Sequence, residues 1–260
     1  ALVASGIYFG DALAPRGGGR SSAALAPRRS ETALDRAVTP LLAARPGHSC
    51  AVLLDQGADA FGARALSTRH AGRSLDLQYY SWSDDSVGQM LAGEALAAAE
   101  RGVRVRILLD DINNAGRDRT LLALDAHPRI EIRIHNPLSA RSGLGRLLEL
   151  VQRVYAVNHR MHNKCWIADG RIAIVGGRNI GAEYFDANES RNFRDLDLMI
   201  AGPAVEQASR IFDAYWNCGG MIPIADLSAE TALTRQELQA LLVEADTRTE
   251  GLYDMDALER

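Results

Sequence analysis

Cysteine is scarce in this chain. Cys50, Cys165 and Cys218 are the only three in 260 residues, widely separated and without metal-ligand spacing. That excludes a disulfide framework and a cysteine-built metal site, and it reads as isolated free thiols, mostly buried. Long apolar runs are also missing. The mildly apolar Ala1 to Ala14 is too short to span a bilayer and is interrupted by Asp11. Charge of one sign is lacking too: the formal net charge is −4. This argues against non-specific nucleic-acid binding, which depends on counterion release by clustered basic residues. A local basic patch acting on an anionic substrate remains compatible with it.

What the chain does contain is an ordinary globular balance of apolar and charged residues, at a length that suits one large α/β domain with tails. Residues 1–44 read as a flexible tail and lead-in, with linker composition at Arg16-Gly-Gly-Gly-Arg20. Regular patterning starts at Arg45. Strands are expected at Cys50–Leu54, Ser74–Tyr80, Val103–Leu109 and Ile130–Ile134, and helices at Ala58–Arg69, Val87–Arg101 and Arg119–Ala126. Strands alternating with helices imply βαβ units and a mixed, mostly parallel sheet covered on both faces. Ligands in such sheets bind beyond the strand C-termini, where Tyr79, Tyr80, Asp110 and Asp111 fall. These four are either the rim of a site or packing residues and caps.

Gly143 to Val157 has leucines and valines at helical spacing with arginines between them. It suits either a core-packing helix or an amphipathic helix touching lipid. Further on, a short helix is expected at Ile180–Phe185, a strand at Leu196–Ile200 and a helix at Pro203–Trp216. Thr234-Arg-Gln-Glu237 forms a capping box for a last helix. Residues 221–260 carry no strand signal and read as a helical segment or linker.

The chemistry is concentrated in Met161 to Asn179, MHNKCWIADGRIAIVGGRN. Asp169-Gly170 between two β-prone runs is a strong hairpin signal. Strand alternation would place His162 and Lys164 on one face. The second strand ends in Gly176-Gly177, letting backbone approach a bound group closely, and Asn179 adds an amide donor. An imidazole beside cationic and neutral donors is the equipment for attack on a phosphodiester, because the donors hold the negative charge that develops.

The spacing H-x-K-x4-D followed by x6-G-G-x-N resembles the phospholipase D superfamily, with His162, Lys164, Asp169, Gly176, Gly177 and Asn179 in the motif positions. LDLQYYSWSDD (Leu75 to Asp85), RGVRVRILLDD (Arg101 to Asp111), HPRIEIRIHNP (His127 to Pro137), NHRMHNK (Asn158 to Lys164), GGRNIGAEYF (Gly176 to Phe185) and RDLDLMI (Arg194 to Ile200) are similar to the bacterial cardiolipin synthase branch, of the type called cardiolipin synthase C. The likeness covers Arg45 to Gly220, about two thirds of the chain. It implies a phospholipase D-like α-β-α sandwich. Such enzymes carry two motifs, whereas here His48, His70, His127, His135 and His159 have no lysine two positions on. The alanine at the start suggests a processed or truncated end, and the single motif suggests the first half of a bilobal enzyme.

The resemblance implies a phosphohistidine mechanism with one histidine from each of two motifs, and neither metal nor cofactor. His162 would be the nucleophile or its acid partner, with Lys164 and Asn179 on phosphate oxygens and Asp169 fixing the hairpin. An acidic residue after the motif would hold the imidazole, Asp195 before Asp197. The implied reaction is phosphatidyl transfer on phosphatidylglycerol or a similar lipid, giving cardiolipin, at the surface of the bacterial envelope. The implied partner is a second motif-bearing half or a second copy. A single-motif homodimeric phosphodiesterase or nuclease, and a catalytically incomplete half, are the competing readings.

Overall fold

A computed structural model describes residues 18–114, 116–137, 160–249 and 253. The expected amphipathic segment at 143–157 and the apolar start of the chain lie outside these residues.

The strands form one eight-stranded sheet in the order β1-β7-β6-β5-β2-β3-β4-β8. These are β1 (Cys50–Leu54), β2 (Ser74–Tyr79), β3 (Arg104–Asp110), β4 (Ile130–His135), β5 (Cys165–Ala168), β6 (Ile172–Gly176), β7 (Asp197–Ala201) and β8 (Met221–Pro223). The helices are α1 (Ala33–Ala43), α2 (Gly57–His70), α3 (Ser86–Glu100), α4 (Asp118–Asp125), α5 (Pro203–Trp216), the short α6 (Ile224–Leu227) and α7 (Arg235–Thr249). The sheet is mixed, as the sequence suggested, but parallel pairing is confined to β2–β3 and β3–β4. The other five pairings are antiparallel, which corrects the expectation of a mostly parallel sheet. The βαβ pattern governs β2 to β4 alone, because β5, β6 and β7 follow one another without a crossover helix.

Both faces of the sheet are covered. Leu75, Leu77, Val105, Ile107, Ile132 and Trp166 pack with the helices on one side. On the other side Leu108, Ile167 and Ala173 meet Val205, Phe212 and Trp216 of α5. The arginines that alternate along β3 and β4 belong to this second face. Arg106 is buried beneath α5, donating to Asp76 at 2.6 Å and to Asp213 at 2.7 Å. Its guanidinium lies 4.8 Å from the Phe212 ring centroid, and that of Arg133 lies 4.2 Å from Trp216. A buried guanidinium is tolerated only when its donors are matched, and Asp76 of β2 with Asp213 of α5 supply the match for Arg106.

The same arginines hold the stretch before α1. Arg133, Arg106 and Arg104 donate to the backbone carbonyls of Arg20, Ser22 and Ala23, and Arg171 donates to that of Arg28. From residue 18 onward the expected flexible tail is therefore a bound strap. Thr32 caps α1 in a reciprocal box with Asp35, whose carboxylate also pairs with Arg73 and Arg171. Desolvation opposes ionisation of Asp35, yet the hydrogen bond from Arg171 and those from Thr32 and Arg73 outweigh it and lower the carboxyl to about 2. Two further expectations are corrected. The region after Gly220 contributes β8, antiparallel to β4. Of the cysteines only Cys165 is buried, whereas Cys50 and Cys218 are exposed. The capping box at Thr234 and Glu237 forms as expected.

Two outcomes follow. Arg106→Leu leaves Asp76 without its close guanidinium partner in the interior and lowers stability by about 3–5 kcal/mol, read from urea unfolding. Asp35 is depressed in the folded state, so its contribution is complete above the unfolded value near 4 and lost as pH falls toward 2. The stability gap between the parent and Asp35→Asn narrows across that window.

Candidate active site

The register of the sheet lines up one edge. The C-terminal ends of β2, β3 and β4 lie together, and antiparallel pairing of Gln78 with Cys165 brings the start of β5 to the same edge. The pairs Cys165–Val175, Gly176–Asp197 and Asp197–Leu54 add the end of β6, the start of β7 and the end of β1. Every candidate residue except Asp169 falls at or just beyond this edge.

Asp169 lies at the far end of β5. With Gly170 it has positive φ, 55° and 64°, the backbone of the expected tight turn. Its carboxylate is fully buried and accepts from the backbone N–H groups of Gly72, Arg73 and Ser74 at 2.7–3.2 Å. It therefore clamps the hairpin to the entry of β2.

His162 and Lys164 precede β5 rather than sitting within it, so strand alternation is not what brings them together. Lys164 folds back, its Nζ lying 2.9 Å from the His162 carbonyl and 2.8 Å from His162 Nδ1. His162 is exposed and Lys164 buried. Burial lowers the Lys164 ammonium below the ordinary lysine range, and the nearby charge of Asp195 acts in the opposite sense. Among the described residues Lys164 makes no ion pair. Sequence reasoning missed a plain signal here: Lys164 is the only lysine of the chain.

Tyr80, not Tyr79, borders this pair. The Tyr80 ring lies 4.8 Å from that of His162, and Lys164 Nζ is 5.5 Å from its centroid. Tyr79 points the other way into the core, where its hydroxyl accepts from Arg64 at 3.0 Å and burial pushes it up to about 12. Its expected place at the substrate rim is thereby corrected. Asp110 is likewise buried, not at the rim. It accepts from Met161 N at 3.1 Å and from Arg160, so it tethers the residues just before His162. Burial raises its carboxyl. Asn114, unremarked in the sequence, donates to the carbonyls of both Asp110 and Tyr80.

Gly176 and Gly177 admit the protein's own carboxylates. A Cβ on Gly177 would stand 2.0 Å from Asp195 Oδ1, and one on Gly176 would stand 2.1 Å from Asp197 Oδ1. Asp197 is committed to a buried ion pair with Arg64 at 2.8 Å and lies 3.6 Å from Arg178. Asp195 bonds only its neighbour's backbone N–H and has no ion-pair partner among the described residues. No hydrogen bond joins it to His162. Asn179 accepts from Ser81 N at 3.2 Å and donates to the Tyr184 hydroxyl at 2.9 Å. No group of three or more His, Cys, Asp or Glu side chains suited to a metal occurs among the described residues.

Solved structures share this frame. A phosphatidylserine synthase from Haemophilus influenzae matches 76% of this chain and 43% of its own, with TM-score 0.53 and 15% identity. NucT from Helicobacter pylori matches 66% of this chain and 99% of its own, with TM-score 0.50 and 19% identity. At these identities the likeness is one of fold alone, a mixed sheet that carries the H-x-K and G-G-x-N residues on one edge. Residues 67–216 match the family described as "Cardiolipin synthase, PLD-like domain", and the chain belongs to that family. Cardiolipin synthase C of Escherichia coli K12 is 47% identical over 191 residues, 74% of this chain and 40% of that protein. The chain thus spans about 40% of that relative's length.

The two aspartates separate experimentally. Asp197→Asn strips a buried guanidinium of its partner and lowers stability by about 3–5 kcal/mol, whereas Asp195→Asn stays within about 0.5 kcal/mol of the parent in the same urea titration.

Proposed function

We propose that this domain works on phospholipid phosphodiesters by phosphatidyl transfer through a phosphohistidine, in cardiolipin synthesis at the surface of the bacterial envelope. The observation that carries the reading is the Lys164 ammonium held against an exposed His162 imidazole, in no ion pair among the described residues. A buried cation outside an ion pair has its charge available for a phosphate oxygen, and attack at phosphorus needs that charge. His162 serves as nucleophile or as acid partner to a second histidine. In the first role one of its ring nitrogens forms the N–P bond while the P–O bond to the leaving alcohol breaks, and the acid partner protonates that alcohol. An acceptor hydroxyl then attacks phosphorus, loses its proton to the acid partner, and releases the imidazole.

Asn179 is fixed by Ser81 and Tyr184 and stands ready beside the phosphate position. Asp195, next to Gly177 and close in charge to Lys164, is the carboxylate left to steady the cationic pair as charge moves. Tyr80 and Asp110 hold His162 in place, by ring contact and by tethering Met161. The second histidine comes from another motif-bearing half or from a second copy of this domain. Phosphatidylglycerol is the expected donor.

The test pairs this domain with a second motif, either as a two-motif chain or as a demonstrated dimer, and follows phospholipid products by mass spectrometry. His162→Ala is expected to reduce turnover at least about a thousandfold, the scale for losing a nucleophile or its acid–base partner, with an unchanged unfolding curve. Asp195→Asn is expected to lower turnover more than Asp197→Asn does per folded molecule. Parent-level activity in His162→Ala would sink the assignment.

A further inference from the structure

Exposed apolar side chains gather beside the proposed site. Phe193, Leu196, Leu198 and Leu53 are 37%, 56%, 41% and 56% exposed. Leu53 and Leu198 are direct partners across β1 and β7, so their side chains share a face. Leu196, two residues before Leu198, continues that face toward the site, its carbonyl accepting from Gly177 N at 3.1 Å. Phe193 lies in the loop before Leu196, its backbone N–H donating to the Glu183 carbonyl at 2.7 Å. Its ring lies 5.0 Å from that of Tyr184, the residue whose hydroxyl takes the Asn179 amide. Arg191 and Arg194 flank these residues, both exposed. Arg191 lies over the Phe193 ring at 5.0 Å, and neither guanidinium has a carboxylate partner among the described residues. The acids nearby in the sequence are Glu189 and Asp195, and Glu183 adjoins Phe193 through its backbone carbonyl.

We propose that this rim, formed by Phe193, Leu196, Leu198 and Leu53 with Arg191 and Arg194, is the surface by which the domain seats on an anionic lipid bilayer. The proposal rests on the phospholipid reading and adds the orientation that it needs. A phospholipid kept in its bilayer presents its phosphodiester at the boundary between hydrocarbon and water. A site acting there must have that boundary at its own lip, with apolar side chains to enter the acyl region and guanidinium groups level with the phosphates. Apolar side chains alone would suit many partners. The two arginines, in no ion pair among the described residues, select an anionic one, and the contacts with Gly177 and Tyr184 set it at the Gly177 and Asn179 side of the site.

The test is co-sedimentation of the parent with vesicles of phosphatidylcholine alone, or of equal parts phosphatidylglycerol and phosphatidylcholine. The parent is expected to partition onto the anionic vesicles, more weakly as salt rises. Phe193→Ser with Leu196→Ser is expected to cut partitioning at least about tenfold, as is Arg191→Glu with Arg194→Glu. Leu41→Ser, at an exposed apolar position on α1 away from the site edge, is expected to change nothing. A Phe193→Trp probe is expected to shift its emission to the blue when anionic vesicles are added, with no dependence on turnover.

Rim variants that bind vesicles like the parent would overturn the proposal. So would a dimer, seen by light scattering, that Leu53→Glu with Leu198→Glu splits without altering vesicle binding. Vesicle binding through the rim with no phospholipid turned over would count against the chemistry and leave the rim standing. Turnover of a soluble phosphodiester with rim-independent vesicle binding would do the reverse.

Discussion

The Asp197 carboxylate, buried with Arg64 and Arg178, is the constraint from which the site hangs. One oxygen takes the Arg64 guanidinium of α2, which also donates to the Tyr79 hydroxyl of β2. Arg178 spans from this corner to the carbonyls of Leu54 and Asp55 at the end of β1. Three strands and a helix are thus tied at one point, and the chain between Gly176 and Asn179 has little freedom to move. Removing either charge would strand the other in the interior, which is why such a junction fixes geometry more than it adds stability.

Around that point the site uses backbone economically. Gly176 and Gly177 let two carboxylates close on the chain from the following strand, one committed to structure and one left near Lys164. Asp110 and Asn114, at and just beyond the end of β3, brace the segments carrying His162 and Tyr80. The reacting groups therefore sit on strand ends and their tethers, positions a packed sheet holds more closely than a free loop could.

The parts of this arrangement that were legible in the sequence are local ones. Asp169-Gly170 announces its turn because few residues accept positive φ there. The H-x-K and G-G-x-N spacings are short enough that register carries them to the same edge. The difference between Tyr79 and Tyr80 was legible but missed: Leu75, Leu77 and Tyr79 alternate with Asp76, Gln78 and Tyr80, which sets Tyr79 with the core leucines even though β2 is buried at every position. The arginines of β3 and β4 read as ordinary polar positions, and only packing reveals that they lie under α5 and carry a strap of main chain. β8 is three residues long, below what any periodicity can mark. The antiparallel majority of the sheet follows from hairpin-like succession after residue 164, which the βαβ rhythm of the first half had masked.

This chain meets its need for positive charge with 28 arginines and a single lysine. Arginine is planar and holds its proton under all ordinary conditions, so it suits fixed forks such as those of Arg64, Arg106 and Arg133. Position 164 alone keeps a compact ammonium that can turn between partners and give up a proton. The ε-amine of the whole domain is therefore one group, and it stands against His162. Within these 260 residues an amine-directed acylating reagent has one side chain to modify, so its effect on the site can be traced to a single group with no substrate in hand.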